Sequence, residues 1–268
     1  MRAVAITSGK GGTGKTAVSI SLSIALSQAH RRVLLLDGDL GLANIDIQLG
    51  ISAPFNLSHV VEGQKELAEI LVEGPSGVRV LPGASGIIQM ERLSVGAYGQ
   101  LFDGLATLEQ SFDVLVIDTG AGITDSVQML SAAADDVVIV MTPDPSALDD
   151  AYVLAKVLAG RCSHSLLRVI VNQVSSKGEG AAVFERLRTV VSKFLPTQLE
   201  LLGSVEVDRA MAEAVRSRKP LLSTTTHSPA AIDLRGIASR LANLPSPTHG
   251  RGGFWERVLD SSRHTAAK

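Results

Sequence analysis

Gly9-Lys10-Gly11-Gly12-Thr13-Gly14-Lys15-Thr16 stands directly after the apolar run Ala3–Thr7 and opens a stretch with helical spacing. It fits G-x-x-x-x-G-K-[ST], in the strand-to-helix position that phosphate binding needs. Glycines let backbone N–H groups wrap an anion, and a helix N-terminus adds positive potential. At average residue frequencies the pattern arises by chance in roughly one chain per hundred of this length. Requiring the strand and the helix makes chance rarer. The stretch predicts a nucleotide site with Gly11, Gly12, Thr13, Gly14, Lys15, Thr16 and Ala17 around the phosphates. Lys15 is expected on the β- and γ-phosphates and the Thr16 hydroxyl on Mg²⁺, so the expected cofactors are ATP and Mg²⁺.

Outward from this loop, apolar runs alternate with helical patterns. Ala3–Thr7, Val33–Asp37, Val78–Leu81, Val114–Asp118, Val137–Met141, Leu167–Asn172 and Leu201–Val205 read as strands. Several are apolar at nearly every position, as strands covered on both faces should be. Between the first two, a helix over Lys15–Ala29 places Val18, Leu22, Ala25, Leu26 and Ala29 on one face. Strand, helix, strand is a right-handed βαβ unit, and the alternation continues to about Leu244. The fold class is therefore α/β, a doubly wound, mostly parallel sheet with helices on both faces. Residues 1–244 form this domain. Residues 245–253, rich in proline and glycine, read as a linker, and 254–268 as an amphipathic C-terminal helix and tail.

Composition narrows the function. The chain has 268 residues, 45% of them hydrophobic, and a net charge of −2, so nothing global calls for a nucleic-acid partner and none is expected. Cys162 is the single cysteine, which excludes an internal disulfide and any site needing two cysteines from one chain. The start is too short in apolar residues for a signal peptide. The most apolar run, Val137–Met141, is far shorter than the ~20 residues that span a bilayer. A cytoplasmic protein is expected. The six histidines show no ligand spacing.

Two further strands end in carboxylates. Val114–Ile117 is followed by Asp118, an arrangement that holds Mg²⁺ through water. Val33–Leu36 is followed by Asp37-Gly38-Asp39, at the strand edge where α/β sheets bind ligands. A strand-end aspartate also serves as a helix cap, and both readings stand for Asp37 and Asp39.

Lys10, together with Gly11-Gly12-Thr13-Gly14-Lys15-Thr16, resembles the deviant Walker A signature of the MinD/ParA ATPases. The resemblance implies an ATP-dependent homodimer in which Lys10 reaches the partner's phosphates. It implies that Asp39 orients the attacking water, that Asp37 and Asp118 support Mg²⁺, and that Asn172 reads the adenine edge. The stretch Asp118–Gly122 resembles switch II, with Gly120 in place of alanine or proline. Gly38 replaces the usual alanine, a change expected to be mild. Gly203–Asp208 resembles a base-bordering Gly-x-Ile-Pro-x-Asp stretch, with Glu206 in place of the proline.

Asp39–Asp46, Val78–Gly86, Asp118–Ser126 and Phe254–Leu259 resemble most the flagellar number regulators of the FlhG/FleN branch. The implied partners are a flagellar master transcription regulator, a flagellar signal-recognition-type GTPase, or both. The chain begins about two residues before its first strand, so the GTPase-stimulating N-terminal extension of many members is expected to be absent. That favours the FleN-type subset. Competing readings are a MinD-like division-site or cargo-positioning ATPase and a P-loop small-molecule kinase or ligase. An iron–sulfur relative would need two cysteines. Slow hydrolysis is expected, since no arginine finger is identifiable.

In the tail, Phe254, Trp255, Val258 and Leu259 gather on one helical face with Arg251, Arg257 and Arg263 nearby. Two readings remain open. The face binds the inner side of the cytoplasmic membrane reversibly, or it docks on its own domain.

Overall fold

Runs that are apolar at almost every position become strands buried from both sides. A computed structural model describes residues 1–39, 44–83, 95–161, 165–225, 227–245 and 252–258, the side chains of 95–102 and 161 excepted. Residues 40–43, Cys162, most of the expected linker, Leu259 and the rest of the tail lie outside the described residues.

The strands are β1 (Arg2–Ser8), β2 (Val33–Gly38), β3 (Val72–Glu73), β4 (Arg79–Leu81), β5 (Val114–Ala121), β6 (Asp136–Met141), β7 (Leu166–Val174) and β8 (Gln198–Glu206). They form one sheet in the order β3-β4-β2-β5-β1-β6-β7-β8, parallel except for the β3–β4 pair. The helices in chain order are α1 (Lys15–Gln28), α2 (Ile45–Leu49), α3 (Leu57–Val61), α4 (Leu67–Ile70), α5 (Val95–Ser111) and α6 (Asp125–Ala133). Then follow α7 (Pro145–Arg161), α8 (Lys177–Phe194), α9 (Arg209–Ser217), α10 (Leu221–Thr224) and α11 (Pro229–Ala242).

Period-two alternation sorts each strand between two cores. Ala3 and Ala5 of β1 join the core with α5, α6, α7 and α8, while Val4 and Ile6 join the one with α1 and α11. Covering both faces is what a parallel sheet requires. β1 lies between β5 and β6, and from it the chain path diverges in both directions, which marks the switch point where such sheets bind ligands. The phosphate loop follows β1 at that point.

Two expectations need revision. The single apolar face assigned to α1 is wrong: residues 18–26 are buried all round, and Ala29 is exposed. The helix lies between the sheet and α11. Its buried serines are tolerated because Ser21 and Ser23 donate to the carbonyls of Ala17 and Ser19, at 2.6 and 2.8 Å. Gly38 is not a mild replacement for alanine in this chain. A Cβ there would lie 2.8 Å from Leu130 Cδ1 and 3.0 Å from the Asp118 carbonyl oxygen.

Of the two readings left open for the tail, the docked one is what the structure has. Residues 254–258 are helical, but Phe254, Trp255 and Val258 are buried in the α5–α8 core and present no apolar face to a membrane in this conformation. Polar contacts hold the segment down. Arg257 donates to the Ala133 carbonyl at 2.7 Å and to Asp135 at 2.8 Å, and the Phe254 N–H donates to Glu109 at 2.5 Å. Among the described residues the buried Trp255 Nε1 has no hydrogen-bond partner.

Candidate nucleotide site

The loop owes its shape to its glycines. Gly12 and Gly14 both have φ of 82°, a left-handed conformation that favours glycine. A Cβ on Gly14 would also meet Asn172 Nδ2 at 2.4 Å. The loop lines a cavity of about 290 Å³ whose wall includes Lys10 to Ala17, Asp39, Asn44 and Gln48. A larger cavity of about 740 Å³ lies between α3, α4 and α5, away from this chemistry. Chemistry, not size, marks the site.

Lys15 is almost fully buried, and its Nζ lies 2.9 Å from Asp118 Oδ1. The parallel register sets Asp37 opposite Asp118 on adjacent strands. Asp37 Oδ2 accepts from the N–H groups of Asn44 and Ile45 at 3.0 and 3.2 Å, and Oδ1 from the Asp39 N–H at 3.3 Å. The capping role left open for Asp37 is thus visible at the start of α2. Thr16, Asp37 and Asp118 offer oxygen only, the donor type that suits Mg²⁺. Among the described residues no group of three or more His, Cys, Asp or Glu side chains gathers. Few protein ligands fit a cation carried mainly by phosphate and water.

Burial pushes the Asp37 carboxyl up to about 6; the Ile45 N–H opposes this, and the neighbouring Asp118 charge adds to it. Its folded pKa lies above the ordinary 3.8, so its stabilising contribution is complete below about pH 4. That contribution is lost as pH rises through about 6. At ~1.4 kcal/mol per pKa unit the loss amounts to roughly 3 kcal/mol. Urea unfolding of nucleotide-free protein at pH 4.5 and 7 should show this fall, and Asp37→Asn should flatten it. Identical pH profiles for the two proteins would remove Asp37 as its source.

Lys10 sits at the crest of the loop with its side chain 30% exposed. Its Nζ donates to Asp144 Oδ1 at 2.6 Å and to Ser146 Oγ at 2.8 Å. The Lys10 bond, with others donated by the Thr142 and Ser146 hydroxyls, holds the Asp144 carboxyl well below the usual carboxylate range. Asp144 was missed in the sequence, although Asp-Pro before a helix is a recognisable start signal. Asn172 Nδ2 donates to the Thr13 carbonyl at 2.8 Å, so its amide steadies the loop in this structure.

The Glu206 departure has a physical counterpart. Its N–H, which proline lacks, donates to Asp233 Oδ2 at 3.0 Å. Lys177 pairs with Asp233, lies 3.8 Å from Glu206 Oε1 and donates to the Ser204 carbonyl at 2.8 Å. Hydrogen bonds and an ion cluster fasten the strand end that a proline would stiffen.

The ParA family model, described as NUBPL iron-transfer P-loop NTPase, matches residues 1–242. The chain belongs to the ParA/MinD family of P-loop NTPases. Antiactivator FleN of Pseudomonas aeruginosa is 38% identical over 97% of this chain and 94% of that protein. The flagellum site-determining protein YlxH of Helicobacter pylori is 36% identical over 96% of this chain and 89% of that protein. These support the FleN/FlhG branch read from the motifs. Among solved structures, the septum site-determining protein MinD of Pyrococcus horikoshii, complexed with Mg-ADP, has a TM-score of 0.70 and 25% identity. The match covers 90% of this chain and 96% of that one. The chain is an ATPase of this family. No described helix is long and apolar enough to cross a membrane.

Proposed function

We propose that this ATPase is a dimerising switch that controls flagellar number and placement. The observation that carries the reading is Lys10, a second lysine at the loop crest, partly exposed and turned to Asp144 and Ser146 instead of into its own phosphate cradle. A lysine so placed suits the phosphates of a second subunit. The identities to FleN and YlxH support the flagellar assignment over a division-site role, since MinD of Bacillus subtilis is 30% identical. The partners proposed are a flagellar master transcription regulator, a flagellar signal-recognition-type GTPase, or both.

In this reading Lys15 and the loop N–H groups bind the phosphates, and Thr16, Asp37 and Asp118 hold Mg²⁺ directly or through water. The cation supplies neutralising charge on the β- and γ-oxygens. Asp39, on the cavity wall, orients the attacking water, and Asn172 meets the adenine edge. Turnover is slow because positioning and charge do all the work.

A membrane role for the tail belongs to the same proposal. The docked segment buries an indole N–H with no partner among the described residues, which costs about 1–3 kcal/mol. An interface between water and lipid would satisfy it. The segment is proposed to dock in one state and to bind the inner membrane face in another.

Light scattering after size exclusion tests the switch. A dimer is expected with ATP·Mg²⁺ and a monomer with ADP. Lys10→Ala should keep nucleotide binding within about threefold of wild type, a change under ~1 kcal/mol, yet stay monomeric. An ATP-dependent dimer that survives the substitution refutes the cross-subunit role.

A further inference from the structure

Ser19 lies one helical turn after Lys15 and is completely buried. Its Oγ is 3.0 Å from the Lys15 carbonyl oxygen and 2.8 Å from Asp118 Oδ1. A hydroxyl has one proton to donate. The Lys15 carbonyl already lies in the helix ladder, whereas a carboxylate oxygen makes the stronger, charge-assisted bond. The proton therefore goes to Asp118.

Among the described residues, Asp118 has two donors, Lys15 Nζ and Ser19 Oγ, and both reach Oδ1. Neither engages Oδ2. Lys15 has one ammonium for two anions, and a phosphate in the loop competes with Asp118 for it. Once a phosphate draws Lys15 away, Ser19 is the donor left on Oδ1. We propose that Ser19 is a positioning residue that fixes Asp118, keeping Oδ2 turned out for a hydrated cation while Lys15 serves the phosphates. The other buried serines of α1 provide an internal contrast: Ser21 and Ser23 donate to backbone carbonyls one turn back.

The inference rests on the proposed cation role of Asp118, and one experiment separates the two. ADP affinity is measured by calorimetry in EDTA and in Mg²⁺ for wild type, Ser19→Ala, Ser23→Ala and Asp118→Asn, with thermal denaturation of each. In EDTA, Ser19→Ala should bind ADP within about twofold of wild type, under ~0.5 kcal/mol. In Mg²⁺ it should lose roughly tenfold of the tightening that the cation gives wild type, the worth of one such hydrogen bond. Ser23→Ala should keep that tightening.

Full Mg²⁺ tightening in Ser19→Ala, together with its loss in Asp118→Asn, overturns the role of Ser19 and leaves that of Asp118 intact. Full tightening in Asp118→Asn overturns both. A purely structural serine would lower the melting temperature and weaken ADP equally with and without Mg²⁺, which also overturns the proposal.

Discussion

Lys15→Ala is expected to weaken ATP and ADP binding by about 100- to 10,000-fold. Two charge-assisted hydrogen bonds to phosphate, at roughly 1.5–3 kcal/mol each, disappear together, and 1.4 kcal/mol is a factor of ten. The substitution should also destabilise the nucleotide-free protein. Asp118 is 2% exposed, and losing the ammonium at 2.9 Å leaves a buried carboxylate with the Ser19 hydroxyl as its one donor among the described residues. Breaking such a pair from one side costs about 3–5 kcal/mol. Adding Asp118→Asn to Lys15→Ala should restore much of the melting temperature and none of the affinity. Calorimetry and thermal denaturation read the two effects separately. Unchanged nucleotide affinity in Lys15→Ala would end the phosphate-loop assignment.

Trp255→Ala carries the second large effect. Removing a buried tryptophan from a packed core costs about 3–5 kcal/mol, with local release of the 252–258 segment as the ceiling on that loss. The melting temperature should fall and binding to anionic vesicles should vanish. Asp135→Asn separates docking from packing, because it neutralises the carboxylate that holds Arg257 and leaves every apolar residue in place. Its tryptophan emission should shift to the red, since Trp255 is the only tryptophan. The variant should also pellet with anionic vesicles without ATP, whereas wild type should need ATP·Mg²⁺. If wild type and Asp135→Asn both stay in the supernatant under every nucleotide condition, the segment is structural and the membrane proposal fails.

The sheet and the phosphate loop were legible because their physics is local. A strand covered on both faces is apolar throughout, and a loop that wraps phosphate must be glycine-rich wherever it occurs. Asp37 and Asp118 stood out because each closes an apolar run, although β2 and β5 continue beyond them to Gly38 and Ala121. Other features were not. The two-residue β3 is too short for any period to register. The serines of α1 look like a solvent face until their carbonyl partners are seen. The pairing of Lys10 with Asp144 joins residues far apart in sequence, which spacing cannot foresee. The tail is the clearest case. Four apolar residues on one helical face look alike whether the surface they meet is lipid or the protein's own core.

The position of β5 between β2 and β1 bears on how the molecule assembles. The first two strands follow one another within the βαβ unit yet are not neighbours in the sheet. Arg2 pairs with Val114, and Val33 pairs with the same residue from the other side. The gap cannot close until more than a third of the chain has been made and β5 has threaded into place, a long-range closure of the kind that slows folding. Asp118 arrives on that strand. The lysine of the phosphate loop therefore meets its carboxylate only when the central sheet is complete, so nucleotide with its cation is a ligand of the finished fold. Such a ligand draws the population toward the assembled state by mass action. In a chain built this way, the nucleotide pool that drives the ATPase also guards its folding.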